Sequence, residues 1–155
     1  MPGIDGLQPS EKEGALRLLS EARVCRLGCS DNGKPYVLPM NFVFAENTLF
    51  LHSGPEKSKI AILRLNPRVC VQIDEIKEMV RGGNPCGFSY SFVSLLVHGE
   101  AAFETSVPEK NAALVHFARK YAGTEYSFTE KQIAGVAVIK IPVASITVKI
   151  KKRQD

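Results

Sequence analysis

The sequence predicts a mainly β fold: a small antiparallel barrel with helices at its rim. Three observations lead there. Apolar residues alternate with polar ones in several short runs, the pattern of strands with one buried face. Tight turns join the early runs, with Asp31-Asn32-Gly33-Lys34 as a hairpin signal and Ala45-Glu46-Asn47 as a second turn. The elements follow the order helix, three strands, helix, two strands, helix, strand. Connections this short exclude a doubly wound parallel sheet, which needs long crossovers.

Each element has its own signal. Ser10-Glu11-Lys12-Glu13 matches a capping box, and Ala15, Leu16, Leu18, Leu19 and Ala22 follow at helical spacing, predicting a helix over 10–22. Val24–Ser30, Pro35–Phe44 and Thr48–His52 read as strands of a meander. A helix over 56–65 carries Ile60, Ile62, Leu63 and Leu65 and stops at Asn66-Pro67. Arg68–Asp74 is a fourth strand, and the polar, glycine-containing stretch 75–87 reads as a loop. Phe88–Glu104 is a fifth strand, bent or bulged at Gly99. A helix over 108–121 has Pro108 in its first turn and Gly123 beyond its end. Val136, Val138, Ile141, Val143, Ile146, Val148 and Ile150 mark a last strand or hairpin, with Pro142 at an edge or bulge.

The totals set bounds. A chain of 155 residues with 45% hydrophobic and 23% charged residues reads as a single globular domain over 1–155. It holds no apolar run of about 18 residues, so no membrane helix is expected. Met1–Gln8 has no basic region followed by an apolar one, so the expectation is a cytoplasmic protein without a secretory signal. Of the net charge of +4, a tail at 149–155 carries much, through Lys149, Lys151, Lys152 and Arg153. It reads as a solvated tail. Single-strand binders interleave basic and aromatic residues on one face, and here the aromatics sit in the strands, so no nucleic-acid partner is expected. Cys25 and Cys29 lie too far apart along a strand for one metal, Cys70 and Cys86 lack CxxC pairing, and His52, His98 and His116 are scattered, so no metal site is expected. Cys86, in the glycine-containing stretch, is the thiol to watch for reactivity.

The most informative segment is Leu51-His52-Ser53-Gly54-Pro55-Glu56-Lys57-Ser58-Lys59. A strand ends, a small-residue turn follows, and a helix begins beside two lysines. Unpaired N–H groups and the positive end of a helix dipole favour an anion there, and the lysines add charge. The same residues also suit a solvated helix end. The Walker and dinucleotide glycine patterns are both missing. His52 would adjoin any bound phosphorylated ligand, or serve as a hydrogen-bonded structural residue. In the second strand Pro39 removes a ladder donor and Asn41 can both donate and accept, which suits the edge of a heterocycle or an irregular edge strand.

Taken in order, Gly33-x-Pro35-Tyr36-Val37-x-Pro39-x-Asn41, Phe50-x-His52-Ser53, Lys57-x-Lys59, Asn66-Pro67-x-Val69-Cys70 and Ser94-x4-Gly99 resemble the pyridoxamine 5′-phosphate oxidase-like split-barrel flavoproteins. Within them the chain is most similar to the branch of flavin-nucleotide-binding and 5-nitroimidazole-resistance (Nim-type) proteins. The resemblance covers about residues 10–150. It implies a six-stranded antiparallel split β-barrel of the FMN-binding type, forming a homodimer with FMN at the subunit interface. It implies phosphate contacts from Ser53, Lys57, Ser58 and Lys59. It implies flavin-ring contacts from Val37, Leu38, Pro39, Met40 and Asn41, with Leu51 and His52 beside the ring and Ser94 and Cys86 as further candidates.

Oxidases of pyridoxamine phosphate carry additional arginine and histidine residues in a C-terminal segment, and the end of this chain, Lys149–Asp155, has no counterpart, so vitamin B6 oxidation is not expected. The resemblance implies instead an FMN-dependent oxidoreductase. It would pass electrons from a reduced nicotinamide to a small acceptor, a nitroaromatic being one class, with His52 tuning the flavin or meeting the substrate. The alternatives are a flavin- or haem-binding sensor or carrier without turnover, and a deazaflavin-dependent reductase of the same fold.

Overall fold

The computed structural model describes residues 3–55 and 57–152. A 3₁₀ turn at Ile4–Gly6 precedes α1 (Pro9–Glu21), and three strands follow, β1 (Val24–Asp31), β2 (Lys34–Ala45) and β3 (Thr48–Ser53). Then come α2 (Ser58–Leu65), β4 (Arg68–Val80), β5 (Ser89–Glu100), β6 (Ala102–Glu104), α3 (Val107–Phe117), a π-helical turn at Ala118–Ala122, α4 (Glu130–Ala134), β7 (Ala137–Pro142) and β8 (Ser145–Lys151). Glu56, expected to open α2, and Arg153 of the basic tail lie outside the described residues.

The strands form one antiparallel sheet, ordered β6-β7-β3-β2-β1-β4-β5-β8 and curled into a half-barrel. Both predicted tight turns form. Asn32 and Gly33 have φ of 48° and 86°, and Glu46 and Asn47 have 50° and 55°, the left-handed pairs that match the twist of a two-residue hairpin.

The barrel is split within β2. Its residues pair with β1 as far as Asn41, opposite Val24, and with β3 from Phe42, opposite Leu51. The first half of β2 therefore has one open edge, which is why Pro39 costs no ladder bond to a second neighbour.

Two cores follow from this shape. The larger fills the inside of the curl with Leu27, Phe42, Leu49, Leu51, Val71, Ile73, Leu95, Ile139 and Ile141, joined by Leu18 and Leu19 of α1 and Ile60 and Leu63 of α2. The smaller lies between the sheet and α3 and α4: Val43, Ala113, Leu114, Phe117, Ile133 and Val138. Each fully buried Leu, Ile or Phe contributes about 1.5–3 kcal/mol. No helix is long and apolar enough to cross a membrane among the described residues.

Several expectations change. There are eight strands rather than six, because the fifth and last predicted strands each divide. β5 pairs with β8, but after Ala101 the chain crosses to the other end of the sheet and β6 pairs with β7. Gly99 permits that crossing: a Cβ there would stand 2.5 Å from the Pro142 carbonyl oxygen. The last predicted strand becomes β7 and β8, and Pro142 sits at the end of β7 rather than at an edge or bulge, since no further ladder donor is needed there.

The capping box belongs to Gln8 and Glu11, with Pro9 in the first turn, because Pro9 favours a helix start one residue earlier than Ser10. The predicted loop at 75–87 is mostly strand. β4 runs on to Val80 with a register shift between Ile76 and Met79, where the buried Ser91 hydroxyl accepts from the Glu78 N–H at 3.3 Å. Polar side chains hid this ribbon because it projects into solvent on both faces. Helix α4 carried too few apolar residues to be legible.

Candidate functional site

The split in β2 creates a pocket. Val24 begins β1, Pro39, Met40 and Asn41 are the last β2 residues paired with it, His52 is the next-to-last residue of β3, and Lys59 is in the first turn of α2. These six line an open pocket of about 360 Å³. Side chains from four elements meet because two strand pairings part at this point.

One end of the pocket is cationic. Lys59 Nζ donates to Ser53 Oγ at 3.1 Å, which ties the ammonium to the end of β3. Lys57 is the N-cap of α2 and makes no capping bond with its side chain, so among the described residues no side chain caps this helix N-terminus. That leaves backbone donors and the dipole available to an anion. The Lys57 stem runs along Gly54, and Ser58 is exposed as the first helical residue.

The other end is shaped by rings. His52 meets the edge of Phe117 at 4.6 Å between centroids and 84° between planes, and Phe117 stacks on Tyr121 at 6.0 Å. Burial on the Phe117 side pushes the His52 pKa below its ordinary 6.5, while the pocket side stays open to water. At neutral pH the ring is an uncharged imidazole with one donor and one acceptor nitrogen.

The Tyr121 hydroxyl closes the seam where β2 leaves β1. It accepts from the Phe42 N–H at 3.0 Å, donates toward the Arg23 carbonyl at 2.6 Å and has the Phe42 carbonyl at 3.0 Å. It supplies hydrogen bonds that neither neighbouring strand reaches.

Of the site residues read from the sequence, Pro39, Met40, Asn41, His52 and Lys59 converge, with Ser53 tied to Lys59. Others stand apart. Val37 and Leu38 lie farther along β2, with Val37 66% exposed. The Leu51 side chain is in the core, so only its backbone is near the pocket. Lys57 and Ser58 flank the helix start outside the lining. Ser94 is on β5, three strands from β2, in an outer-face network with Gln72, Asp74 and Arg26. Cys86 is exposed in the 3₁₀ turn Pro85–Gly87, between β4 and β5.

Sequence reading missed three residues. Val24 was marked only by its register opposite Asn41. Phe117 and Tyr121, four apart, form a pair at helical spacing that was read only as part of a helix.

A larger cavity, about 650 Å³, lies between the first turn of α1, the β4–β5 turn and the end of β8. None of the site residues read from the sequence lines it, and its Lys151 and Lys152 are surface side chains. The smaller pocket is the candidate because donors of complementary chemistry converge there.

The family model for pyridoxamine 5′-phosphate oxidase matches residues 11–150. The chain belongs to the pyridoxamine 5′-phosphate oxidase family. A candidate 5-nitroimidazole antibiotic resistance protein of Bacteroides thetaiotaomicron is 33% identical, with a TM-score of 0.79 over 88% of this chain and 82% of that one. Two more distant structures share the family fold. The flavocytochrome Anf3 of Azotobacter vinelandii is 19% identical, with a TM-score of 0.80 over 90% of this chain and 67% of its own. A FAD-binding protein of Mesorhizobium loti is 23% identical, with a TM-score of 0.67 over 94% and 96%. Curated protein sequences contain no match.

Proposed function

We propose that this chain is an FMN-binding oxidoreductase, working in the cytoplasm as a homodimer. The observation that carries the reading is the convergence of Pro39, Asn41, His52 and the Ser53–Lys59 pair on one pocket at the split of the sheet.

The residues fit a flavin nucleotide. Lys59, Ser53, Lys57, Ser58 and the uncapped start of α2 suit a dianionic phosphate. Asn41 and the open backbone edge beside Pro39 suit the polar rim of a flavin ring, with Val37, Leu38 and Met40 beside it. Leu51 would contribute backbone only.

The pocket holds part of such a ligand and opens toward the outer face of β2, β1, β4 and β5. On that face Val24, Val37 and Leu96 are exposed without helical cover. A second copy seated there would complete the site and bring in its own Ser94. These exposed apolar residues, interleaved with the Arg26, Gln72, Asp74 and Ser94 network, make a mixed face of the kind that suits a protein partner.

When bound, the flavin supplies the redox chemistry, taking electrons from a reduced nicotinamide and passing them to a small acceptor such as a nitroaromatic. The chain holds the phosphate, aligns the ring and keeps a neutral imidazole beside it. His52 can donate one hydrogen bond there through its single N–H and accept one at the other ring nitrogen.

The absorption spectrum of the purified protein tests this, followed by anaerobic addition of reduced nicotinamide. Flavin bands that bleach support the oxidoreductase. Flavin bands that persist point to a carrier, and a Soret band to haem. Release of the cofactor by acid and its chromatography distinguish FMN from FAD. A colourless protein that also fails to bind added FMN refutes the proposal.

A further inference from the structure

Lys120 sits in the π-helical turn after α3, in surroundings unlike those of a surface lysine. Its Nζ stands 3.8 Å from the Phe42 ring centroid and 5.9 Å from that of Tyr121. It donates to the Leu19 carbonyl, near the end of α1, at 3.2 Å. Among the described residues no carboxylate forms an ion pair with it. The charged and titratable groups around it are the Arg23 guanidinium and the buried Cys25 thiol, with the Tyr121 ring 5.9 Å away and His116 and Arg119 lining the adjoining pocket.

Lys120 is one of the residues that line a pocket of about 320 Å³. Leu19, Val43 and Phe44 give it apolar walls, and Ser20, His116 and Arg119 form its polar side. Arg119 is occupied by Glu125, at 2.6 and 3.0 Å. This pocket shares no lining residue with the candidate flavin site.

We propose that Lys120 is a nucleophilic amine that captures small aldehydes with an apolar body as a reversible imine in this pocket. The unprotonated Nζ adds its lone pair to the aldehyde carbon, and a proton passes from nitrogen to the carbonyl oxygen. The resulting carbinolamine loses water to leave a C=N bond. No oxidant or reductant is consumed.

The aromatic faces and the Leu19 carbonyl favour the ammonium form. Burial, and then the Arg23 charge, lower its pKa from 10.5 to about 8, against a smaller upward pull from Cys25. At pH 7.5 roughly one quarter of such an amine is unprotonated, against about one in a thousand for an ordinary lysine. Lower basicity also weakens the lone pair, so the net gain in reactivity is smaller than that ratio.

The test is reductive trapping. The protein is treated with limiting benzaldehyde and cyanoborohydride at pH 7.5, and labelled lysines are quantified by peptide mass spectrometry. Lys120 is expected to react at least tenfold faster than the exposed Lys34 and Lys131, with a rate that rises through a midpoint near pH 8. The preference should be larger for benzaldehyde than for acetaldehyde, because the apolar walls hold the ring. It should vanish in urea.

Lys120→Arg keeps a cation over Phe42, and it should fold normally and lose the fast label. Labelling of Lys120 at the rate of Lys34, or equally fast labelling of the Lys120→Arg protein, overturns the proposal. Equal preference for both aldehydes overturns the role of the pocket.

Discussion

Tyr121→Phe removes one oxygen and leaves the ring that stacks on Phe117. The hydroxyl is the acceptor for the Phe42 N–H and the donor toward the Arg23 carbonyl. Phe42 is buried in the larger core, so its amide is left without a partner at the seam, at a cost of about 1–3 kcal/mol. The lost donor bond adds roughly 1 kcal/mol, less where water can replace it. The expected total is about 2–4 kcal/mol. For a chain of this length that lowers Tm by about 5–10 °C. Urea unfolding with an unchanged m-value measures the loss. Amide hydrogen exchange localises it, since Phe42 should exchange faster while amides of β4 and β5 change only with the global stability. A loss below about 0.5 kcal/mol with unchanged exchange at Phe42 would refute the assignment of Tyr121 as the clasp of the split.

Lys59→Ala should weaken FMN binding about 10- to 100-fold through loss of a charge-assisted phosphate contact, measured by flavin fluorescence titration. Unchanged affinity would remove Lys59 from the phosphate site. Gly99→Ala should cost about 3 kcal/mol, because its Cβ would overlap the Pro142 carbonyl oxygen. Gly83→Ala, with open space around it, should cost little, and comparable denaturation midpoints for the two would count against the crossing described at Gly99. The His52 pKa is lowered by burial, so the unfolded chain binds the extra proton first as pH falls. The stability contributed by the neutral ring is complete above about pH 6.5 and is lost as pH falls through the folded value. His52→Gln should flatten that part of the profile, and an NMR titration of His52 with a midpoint at or above 6.5 would contradict the burial argument.

The meander and its turns were legible because hairpin geometry is local. Asn32-Gly33 adopts left-handed backbone wherever a two-residue turn joins twisted strands, and alternation marks the buried face of β1 to β3. The divided strands were not legible. Whether Phe88–Glu104 is one strand or two depends on how Gly99 passes the Pro142 carbonyl, a contact between segments some forty residues apart. The ribbon beyond Asp74 was hidden because both of its faces meet solvent, which erases the period on which strand recognition relies.

The candidate site divides in the same way. The turn from Ser53 to Lys59 was visible as a cationic helix start, and motif order carried His52, Asn41 and Pro39. Alternation along β3 did not reveal that Leu51 enters the core while His52 faces the pocket until the inner side of the curl was known.

Neighbouring residues alone thus carry the strand-rich meander, the helix starts, the family and a set of candidate residues for an anionic, ring-bearing ligand. These follow from periodicity, turn chemistry and motif order, all carried by neighbouring residues. Only the tertiary structure decided that β2 changes partners between Asn41 and Phe42, that Val24 joins the pocket, and that Phe117 and Tyr121 brace it. It also decided that Lys120 lies over Phe42 rather than in water. Those facts depend on register, curl and the path of the chain after α3, where contacts between distant segments outweigh local preference.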